Sequence, residues 1–284
     1  MRITFQDVFY TYNITGPVPP SAHIDGVSFS VDSRETIGLV GANGAGKTTL
    51  LQLITGLEKP DRGQITVDGA DIHGPDYDLS ALRSRIGLVF QSPEFQLFER
   101  TVSEDIAFGP RNLGWAEERV HRLVSAALQA VGLEAGIFAG KSIYELSEGE
   151  KRRVAIAGIL AMEPAFMLFD EPTAGLDDSG RRHIIAILHR QKAAGKGYIV
   201  ASHDMELLLQ TVSRFVVLEN GRLLADFPAG EFAQYCEKLP HILEPTRCMR
   251  LVSLLRDKGI PVPDSVWTRD ALLNFLDDLT PQKK

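Results

Sequence analysis

A glycine-rich segment with one lysine and two threonines is the part of this sequence best suited to chemistry; it reads Gly41-Ala42-Asn43-Gly44-Ala45-Gly46-Lys47-Thr48-Thr49. It stands between apolar runs that predict a strand at 36–40 and a helix at 50–54. Glycines let successive N–H groups turn inward around phosphate oxygens, and the helix adds its positive end. Lys47 would reach the β- and γ-phosphates and Thr48 would ligate Mg²⁺. The segment therefore predicts a nucleotide-phosphate site.

Two acidic residues, Asp170 and Glu171, follow the apolar run 166–169, which predicts a buried strand. Alone, an acid pair at a strand end is commonly a polar turn. Together with a phosphate loop, it supplies what nucleotide hydrolysis requires. Asp170 would hold Mg²⁺ through water, opposite Thr48, and Glu171 would act as general base on the attacking water.

Composition limits the class of protein. A length of 284 residues allows one large domain with an appendage or two modest domains. The formal charge of −7 opposes wrapping of a nucleic acid, so we expect no nucleic-acid partner. Cys236 and Cys248 lie outside any zinc-binding spacing, which indicates reduced thiols in a reducing compartment. The first ten residues lack the apolar core of a signal peptide, and the apolar stretch 154–162 is too short to span a bilayer.

Alternating strand and helix patterns predict an α/β fold with a mixed, largely parallel sheet. Helical periodicity begins near residue 92 and continues to 162, which predicts an inserted helical region. Asn220-Gly221 predicts a hairpin turn between two late strands. Beyond about residue 230 the strand patterns stop, and amphipathic helices are expected near 246–258 and 269–279. The breaker-rich segment 16–21 predicts a loop.

The stretch Leu146-Ser147-Glu148-Gly149-Glu150-Lys151-Arg152-Arg153-Val154-Ala155 precedes the acidic strand end. Here the sequence resembles the ABC ATPase family at its signature motif. Further motifs of that family match in order: the glycine loop, Gln91 after a strand, the acid pair, the loop ending at Asp177, and His203. The resemblance covers residues 1 to about 228 and implies a P-loop NTPase fold whose helical subdomain spans about 92–162.

Within that family, the segments 88–98 and 101–110 look like the ATPases of energy-coupling factor importers, the cobalt/nickel and vitamin uptake group. This resemblance implies an ATPase at the cytoplasmic face of the cell membrane, attached peripherally. Its implied partners are a transmembrane coupling subunit, a substrate-binding membrane subunit and a second ATPase, identical or related. The tail 229–284 is similar to the C-terminal helical dimerisation region of that group.

The resemblance also implies a head-to-tail dimer in which each ATP lies between one subunit's glycine loop and the other's signature. Tyr12 is then expected to stack on adenine, although an ordinary strand aromatic is the alternative. Gln91 would sense Mg²⁺ and the γ-phosphate and couple them to the membrane partner. His203 would contact the γ-phosphate, and Asp177 would organise the dimer interface. Ser147 and Gly149 would complete the ATP site of the partner subunit.

The signature departs from the usual L-S-G-G-Q pattern because Glu148 replaces a glycine and Glu150 replaces the glutamine. Ser147 and Glu150 have the spacing of a capping box, which would stabilise the start of a helix. A carboxylate at position 148 would repel a γ-phosphate unless it turns away. We therefore hypothesise slower turnover at the ATP site that this signature completes.

Apolar residues at Phe95, Leu97 and Phe98 have two interpretations. They line a groove for a coupling helix of a membrane protein, as the resemblance implies, or they pack in the core of the helical insert. Two other functions are disfavoured. A nucleic-acid or ribosome-associated ABC ATPase tends to carry two cassettes or a long coiled coil, and the sequence has neither. An unrelated P-loop enzyme, such as a GTPase or a small-molecule kinase, is disfavoured because the sequence lacks an N-K-x-D motif and carries the signature-like stretch 146–155.

Overall fold

The computed structural model describes residues 1–12, 23–92, 96–263 and 266–279. The predicted loop at 16–21 and Phe95 lie outside these residues. The described strands are β1 Arg2–Thr11, β2 His23–Asp32, β3 Thr36–Val40, β4 Arg62–Val67, β5 Ala70–Asp71, β6 Ile86–Val89, β7 Phe166–Asp170, β8 Gly197–Ala201, β9 Arg214–Glu219 and β10 Arg222–Pro228. The described helices are α1 Lys47–Ile54, α2 Leu79–Arg85, α3 Val102–Asn112, α4 Glu117–Ala130, α5 Ala135–Phe138, α6 Glu148–Ala161, α7 Asp178–Ala193, α8 Met205–Thr211, α9 Phe232–Lys238, α10 Arg247–Asp257 and α11 Arg269–Leu279.

The larger of two sheets has six strands in the order β10-β9-β3-β8-β7-β6. All neighbours in it are parallel except the hairpin of β9 and β10. Strands β3, β7 and β8 are buried along their whole length, as expected for parallel strands covered on both faces. Asn220 and Gly221 both have positive φ at the hairpin turn. The predicted largely parallel sheet and its terminal hairpin are confirmed.

The smaller sheet contains four antiparallel strands in the order β2-β1-β4-β5. Buried side chains alternate with accessible ones along β2, and a cluster of apolar residues fills the space between this sheet, α1 and one face of the larger sheet. Phe5 of β1 stacks on Phe29 of β2 with ring centroids 4.9 Å apart. This layer supports α1 and therefore the phosphate loop that precedes it.

Helices α3, α4 and α6 form the helical insert, and their apolar faces share one core cluster. Capping boxes begin two of these helices, with Thr101 and Glu104 at α3 and Ser147 and Glu150 at α6. Helix α6 ends at Ala161, and the chain then enters β7. The start of α6 thus lies beside the carboxyl ends of the strands, where the acid pair also stands.

The C-terminal segment contains α9, α10 and α11, and α10 and α11 lie where amphipathic helices were predicted. This segment has a small apolar cluster, separate from the two larger ones, that includes Val252, Val262 and Leu272. Leucines on the outer faces of α10 and α11 remain exposed, notably Leu251 and Leu254. Within the ranges that the structure describes, no helix is long and apolar enough to cross a membrane.

Candidate nucleotide site

A cleft of about 360 Å³ opens at the carboxyl ends of the parallel strands. This is the edge at which open α/β sheets bind ligands. It gathers residues that are far apart in sequence and that were predicted as site residues. They are Asn43, Gly44, Ala45, Gly46, Lys47, Thr48, Thr49, Gln91, Asp170, Glu171 and His203.

The phosphate loop requires glycine at two tightly packed positions. A β-carbon on Gly41 would lie 2.4 Å from the carbonyl oxygen of Leu218. Gly46 has φ of +99°, and a β-carbon there would approach the carbonyl oxygen of His23 to 3.0 Å. Helix α1 starts immediately after Gly46 and has no acidic residue in its first turn. Its positive end is therefore available for an anion in the cleft.

Lys47 and Thr48 make the contacts that organise the floor of the cleft. The Lys47 ammonium donates hydrogen bonds to the carbonyl oxygens of Gly41 and Ala42, at 2.7 and 3.1 Å. Burial lowers the pKa of Lys47, and the negative charges of Glu171 and Asp170 oppose that shift. The Thr48 hydroxyl donates to Oδ2 of Asp170 at 2.7 Å. Burial raises the pKa of Asp170, while the Thr48 hydrogen bond acts in the opposite direction.

The Glu171 carboxylate is held by two groups from the end of β8. Its Oε2 accepts a hydrogen bond from the buried Ser202 hydroxyl at 3.1 Å, and its Oε1 lies 3.0 Å from Nδ1 of His203. The Glu171 backbone has φ of +45°, an uncommon conformation for a residue with a β-carbon. Ser202 was not predicted from the sequence, and its only signal was its place directly before His203.

Arg152 of α6 is a second contributor that the sequence did not reveal. It donates one hydrogen bond to the carbonyl oxygen of Gln91 at 2.8 Å and another to that of Glu171 at 3.0 Å. Two arginines follow Lys151 in the sequence, and nothing in the sequence indicates which of them turns inward. In the structure, Arg152 is the buried one and Arg153 is half-buried.

Comparison with known proteins identifies the family. Residues 24–174 match the ABC transporter family. The energy-coupling factor transporter ATP-binding protein EcfA2 of Caldanaerobacter subterraneus subsp. tengcongensis is 41% identical over 285 residues, which cover 97% of this chain and 98% of that protein. This chain belongs to the ABC transporter ATPases, and among them to the energy-coupling factor type. As an ABC ATPase it hydrolyses ATP, and the hydrolysis is coupled to transport.

Solved structures agree with this assignment. The ABC ATPase is similar to cbiO1 of Clostridium perfringens, described as part of the ABC transporter complex cbiONQ. The TM-score is 0.72 at 32% identity, over 89% of this chain and 98% of that one. A dimeric ATP-binding cassette with ADP and phosphate bound aligns with a TM-score of 0.70 at 26% identity, over 80% of this chain and 98% of that one.

Four residues predicted from the family resemblance lie outside the cleft lining. Tyr12 follows β1, and its hydroxyl donates to Oε1 of Gln52 on α1 at 2.6 Å. Asp177 caps α7 by accepting a hydrogen bond from the Gly180 amide at 2.7 Å. Ser147 and Gly149 stand at the start of α6. Their roles toward a nucleotide remain predictions for this ABC ATPase.

The capping box of the signature is confirmed. Ser147 Oγ accepts from the Glu150 amide at 3.3 Å, and Glu150 Oε2 accepts from the Ser147 amide at 2.8 Å. The Ser147 contacts, backbone first, lower the pKa of Glu150. Glu148 is exposed and pairs with Lys151 at 2.8 Å.

A second cavity, of about 440 Å³, lies between α2, α3 and α6. Phe98 and Phe108 line it with 60% and 40% of their surface exposed, and their rings meet edge to face at 4.6 Å. Leu97 instead packs against the core of the helical insert. Leu97 therefore packs against the core, whereas Phe98 lines a cavity whose use as the groove for a coupling helix remains a prediction.

Proposed function

We propose that this chain is one ATPase subunit of an energy-coupling factor importer that takes up a metal ion, cobalt or nickel, or a vitamin. It would sit peripherally on the cytoplasmic face of the cell membrane and drive a transmembrane coupling subunit and a substrate-binding membrane subunit. The observation that carries this proposal is the joint presence of a nucleotide cleft and an apolar groove on the helical insert. The names of the relatives support the transporter class.

Mg²⁺ with ATP fits the residues of the cleft. Thr48 and Asp170 already bring two oxygen ligands together, and Mg²⁺ prefers oxygen donors and takes others from nucleotide phosphates. Among the described residues no cluster of three or more His, Cys, Asp or Glu could hold a metal alone, in keeping with a site that the nucleotide completes. The ion would neutralise phosphate charge. Gln91 would complete the ligand set through its side-chain oxygen.

Hydrolysis requires a base and a group that contacts the γ-phosphate. Glu171 would take the proton of the attacking water, because Ser202 and His203 hold its carboxylate at the cleft. His203, largely exposed at the rim, would contact the γ-phosphate. The Lys47 ammonium would release the carbonyl oxygens of the loop and donate its hydrogen bonds to phosphate oxygens instead. The negative phosphate would stabilise the buried positive charge.

The second half of each ATP site would come from another ATPase subunit, identical or related. Ser147 and Gly149 would approach the partner's nucleotide, Asp177 would organise the interface, and Tyr12 would stack on adenine in its own subunit. The bond from Tyr12 to Gln52 supports this role because it fixes the ring next to α1. The dimeric structure of a similar cassette supports the pairing.

Purification from membranes through a tag on this chain tests the proposal. We expect a membrane subunit and a second ATPase to co-purify, and a bound vitamin or metal to be identified by mass spectrometry. Phe98→Asp should lose the membrane subunit, while Ile137→Asp, also at an exposed apolar residue of the helical insert, should retain it. Recovery of only ribosomes or nucleic acid with the tagged chain would refute the importer assignment.

A further inference from the structure

The Arg152 side chain connects three parts of the molecule, namely the signature helix α6, Gln91 and Glu171. It lies on α6, one turn after Ser147 and Gly149, and only 8% of it is exposed. Nη2 donates to the carbonyl oxygen of Gln91 at 2.8 Å, and Nη1 donates to that of Glu171 at 3.0 Å. One side chain therefore links the signature helix to the backbone of two residues in the nucleotide cleft.

The topology explains how one guanidinium reaches both carbonyls. Strands β6 and β7 are parallel neighbours in which Val89 pairs with Phe169, so Gln91 and Glu171 follow adjacent strand ends. Helix α6 precedes β7 and starts beside those ends. The planar guanidinium presents its donors in a fixed fork, which suits two carbonyl oxygens at once.

The carbonyl at Glu171 is part of a constrained peptide. Glu171 has φ of +45°, and its amide donates to the carbonyl oxygen of Ala201 at 2.8 Å. Such a conformation persists only where surrounding contacts determine it. The contact from Arg152 is one of these, so displacement of α6 would change the setting of the Glu171 carboxylate.

We propose that Arg152 is a positioning residue that makes the start of α6 move together with Gln91 and Glu171. Ser147 and Gly149, which are expected to face the partner's nucleotide, would then change position together with the hydrolytic residues of this chain. ATP in one site of the dimer would thereby influence hydrolysis in the other. The last step rests on the proposed shared site, whereas the positioning itself concerns this chain alone.

Hydrogen exchange on the isolated full chain tests the positioning without any partner. Arg152→Lys keeps the charge but replaces the two donating nitrogens, Nη1 and Nη2, with a single ammonium nitrogen. We expect amide exchange to become about tenfold faster in segments 86–92, 147–151 and 166–176, because loss of one hydrogen bond changes the free energy of local opening by about that factor. Exchange in segment 41–49 should stay unchanged. Arg119→Lys is the matched control, because Arg119 forms a surface ion pair in the same helical insert. Its amide exchange should equal that of the wild type. Unchanged or uniformly faster exchange in Arg152→Lys would overturn the proposal.

Kinetics of the purified complex test the consequence for turnover. We expect Arg152→Lys to lower kcat about 10- to 100-fold, the scale for misplaced catalytic groups. We expect KM for ATP within about twofold of wild type and a Hill coefficient close to that of independent sites. Arg152→Gln, which removes the buried charge, should behave similarly if the lysine variant folds poorly.

The two measurements separate this inference from the proposed function. Altered local exchange with unchanged kcat and Hill coefficient would overturn the role of Arg152 in linking the sites. A wild-type chain that hydrolyses ATP without a second ATPase would instead refute the shared site, and the exchange data would still decide the positioning.

Discussion

The two carboxylates at the end of β7 differ in their hydrogen-bond partners, and this difference separates their chemistry. Asp170 accepts from Thr48, the expected Mg²⁺ ligand, whereas Glu171 faces Ser202 and His203. In the proposed site Asp170 faces the Mg²⁺ position, where the charge of the cation would make its carboxylate a poor proton acceptor. Glu171 is therefore the residue of the pair that suits a general base.

Glu171→Gln should lower the rate of ATP hydrolysis about 10²- to 10⁴-fold, the usual contribution of a general base. The amide retains the shape and the hydrogen bond from Ser202 but accepts no proton from water. Binding of a fluorescent ATP analogue should persist with similar affinity, and a comparable loss of binding would indicate that Glu171 supports the nucleotide rather than the chemistry.

Glu148→Gly should raise hydrolysis in the complex, because it removes a carboxylate from the part of the signature expected to face a γ-phosphate. The exposed pair with Lys151 contributes little stability. The measurement is the steady-state ATPase rate of Glu148→Gly compared with that of Glu118→Gly. Glu118 is an exposed glutamate in the first turn of α4 and serves as the control position. An unchanged rate in Glu148→Gly would remove the hypothesis.

At the scale of elements, the side chains of Gln96 and Asp105 fasten residues 96–99, which precede α3. Gln96 donates to the carbonyl oxygen of Leu88 and accepts from the Phe90 amide, both at 3.0 Å, so its carboxamide pairs with the edge of β6. Asp105 accepts from the amides of Phe98 and Glu99 at 2.9 and 3.1 Å. These contacts tie Gln96 to the end of β6 and tie Phe98 and Glu99 to α3.

Asp105 should make stability depend on pH. Burial raises the pKa of this carboxyl above its usual value, despite the two amide hydrogen bonds that lower it. The folded chain then binds the proton more tightly than the unfolded chain, so the contribution of Asp105 is most favourable at low pH. It declines as the pH rises above about 4, the pKa of an unperturbed Asp.

Asp105→Asn removes this titration while retaining an oxygen acceptor. We expect the free energy of unfolding of the variant, relative to wild type, to rise between about pH 4 and the folded-state pKa. Urea titrations at several pH values measure it. A difference that stays constant with pH would show that Asp105 ionises normally.

At the scale of the whole molecule, the C-terminal helices present an apolar surface that the described residues leave uncovered. Leu251 and Leu254 of α10 are 41% and 57% exposed. The family resemblance implies a dimerisation region here, and that assignment, like the domain boundary near residue 228, remains a prediction. A second ATPase subunit would cover this surface.

Leu251→Asp with Leu254→Asp should weaken association of the ATPase subunits about tenfold or more, since burial of a charge in an apolar interface is unfavourable. Light scattering across a concentration series measures the change. Leu224→Asp, at a similarly exposed leucine of β10, is the control. Equal dimer stability in all variants would exclude α10 from the interface.

Several features were predictable because they depend on neighbours in sequence. The phosphate loop, the capping box and the Asn220-Gly221 turn all follow from local backbone requirements. Helix α2 was not predicted, because it has only seven residues and its apolar face, Leu79 and Leu82, is too short to give a periodic pattern. Gln91 and His203 were singled out only through the family resemblance, since neither has a local signal.

The sequence by itself determined the fold class, the glycine loop and the acid pair, because glycine geometry and continuous apolar strands are encoded over a few residues. Tertiary structure alone decided that Ser202 reaches Glu171, that Arg152 bridges Gln91 and Glu171, and that Phe98 lines a cavity while Leu97 packs against the core. These contacts join separate strands and helices. Their distances arise only when the parallel strand ends and the start of α6 meet at one edge of the sheet.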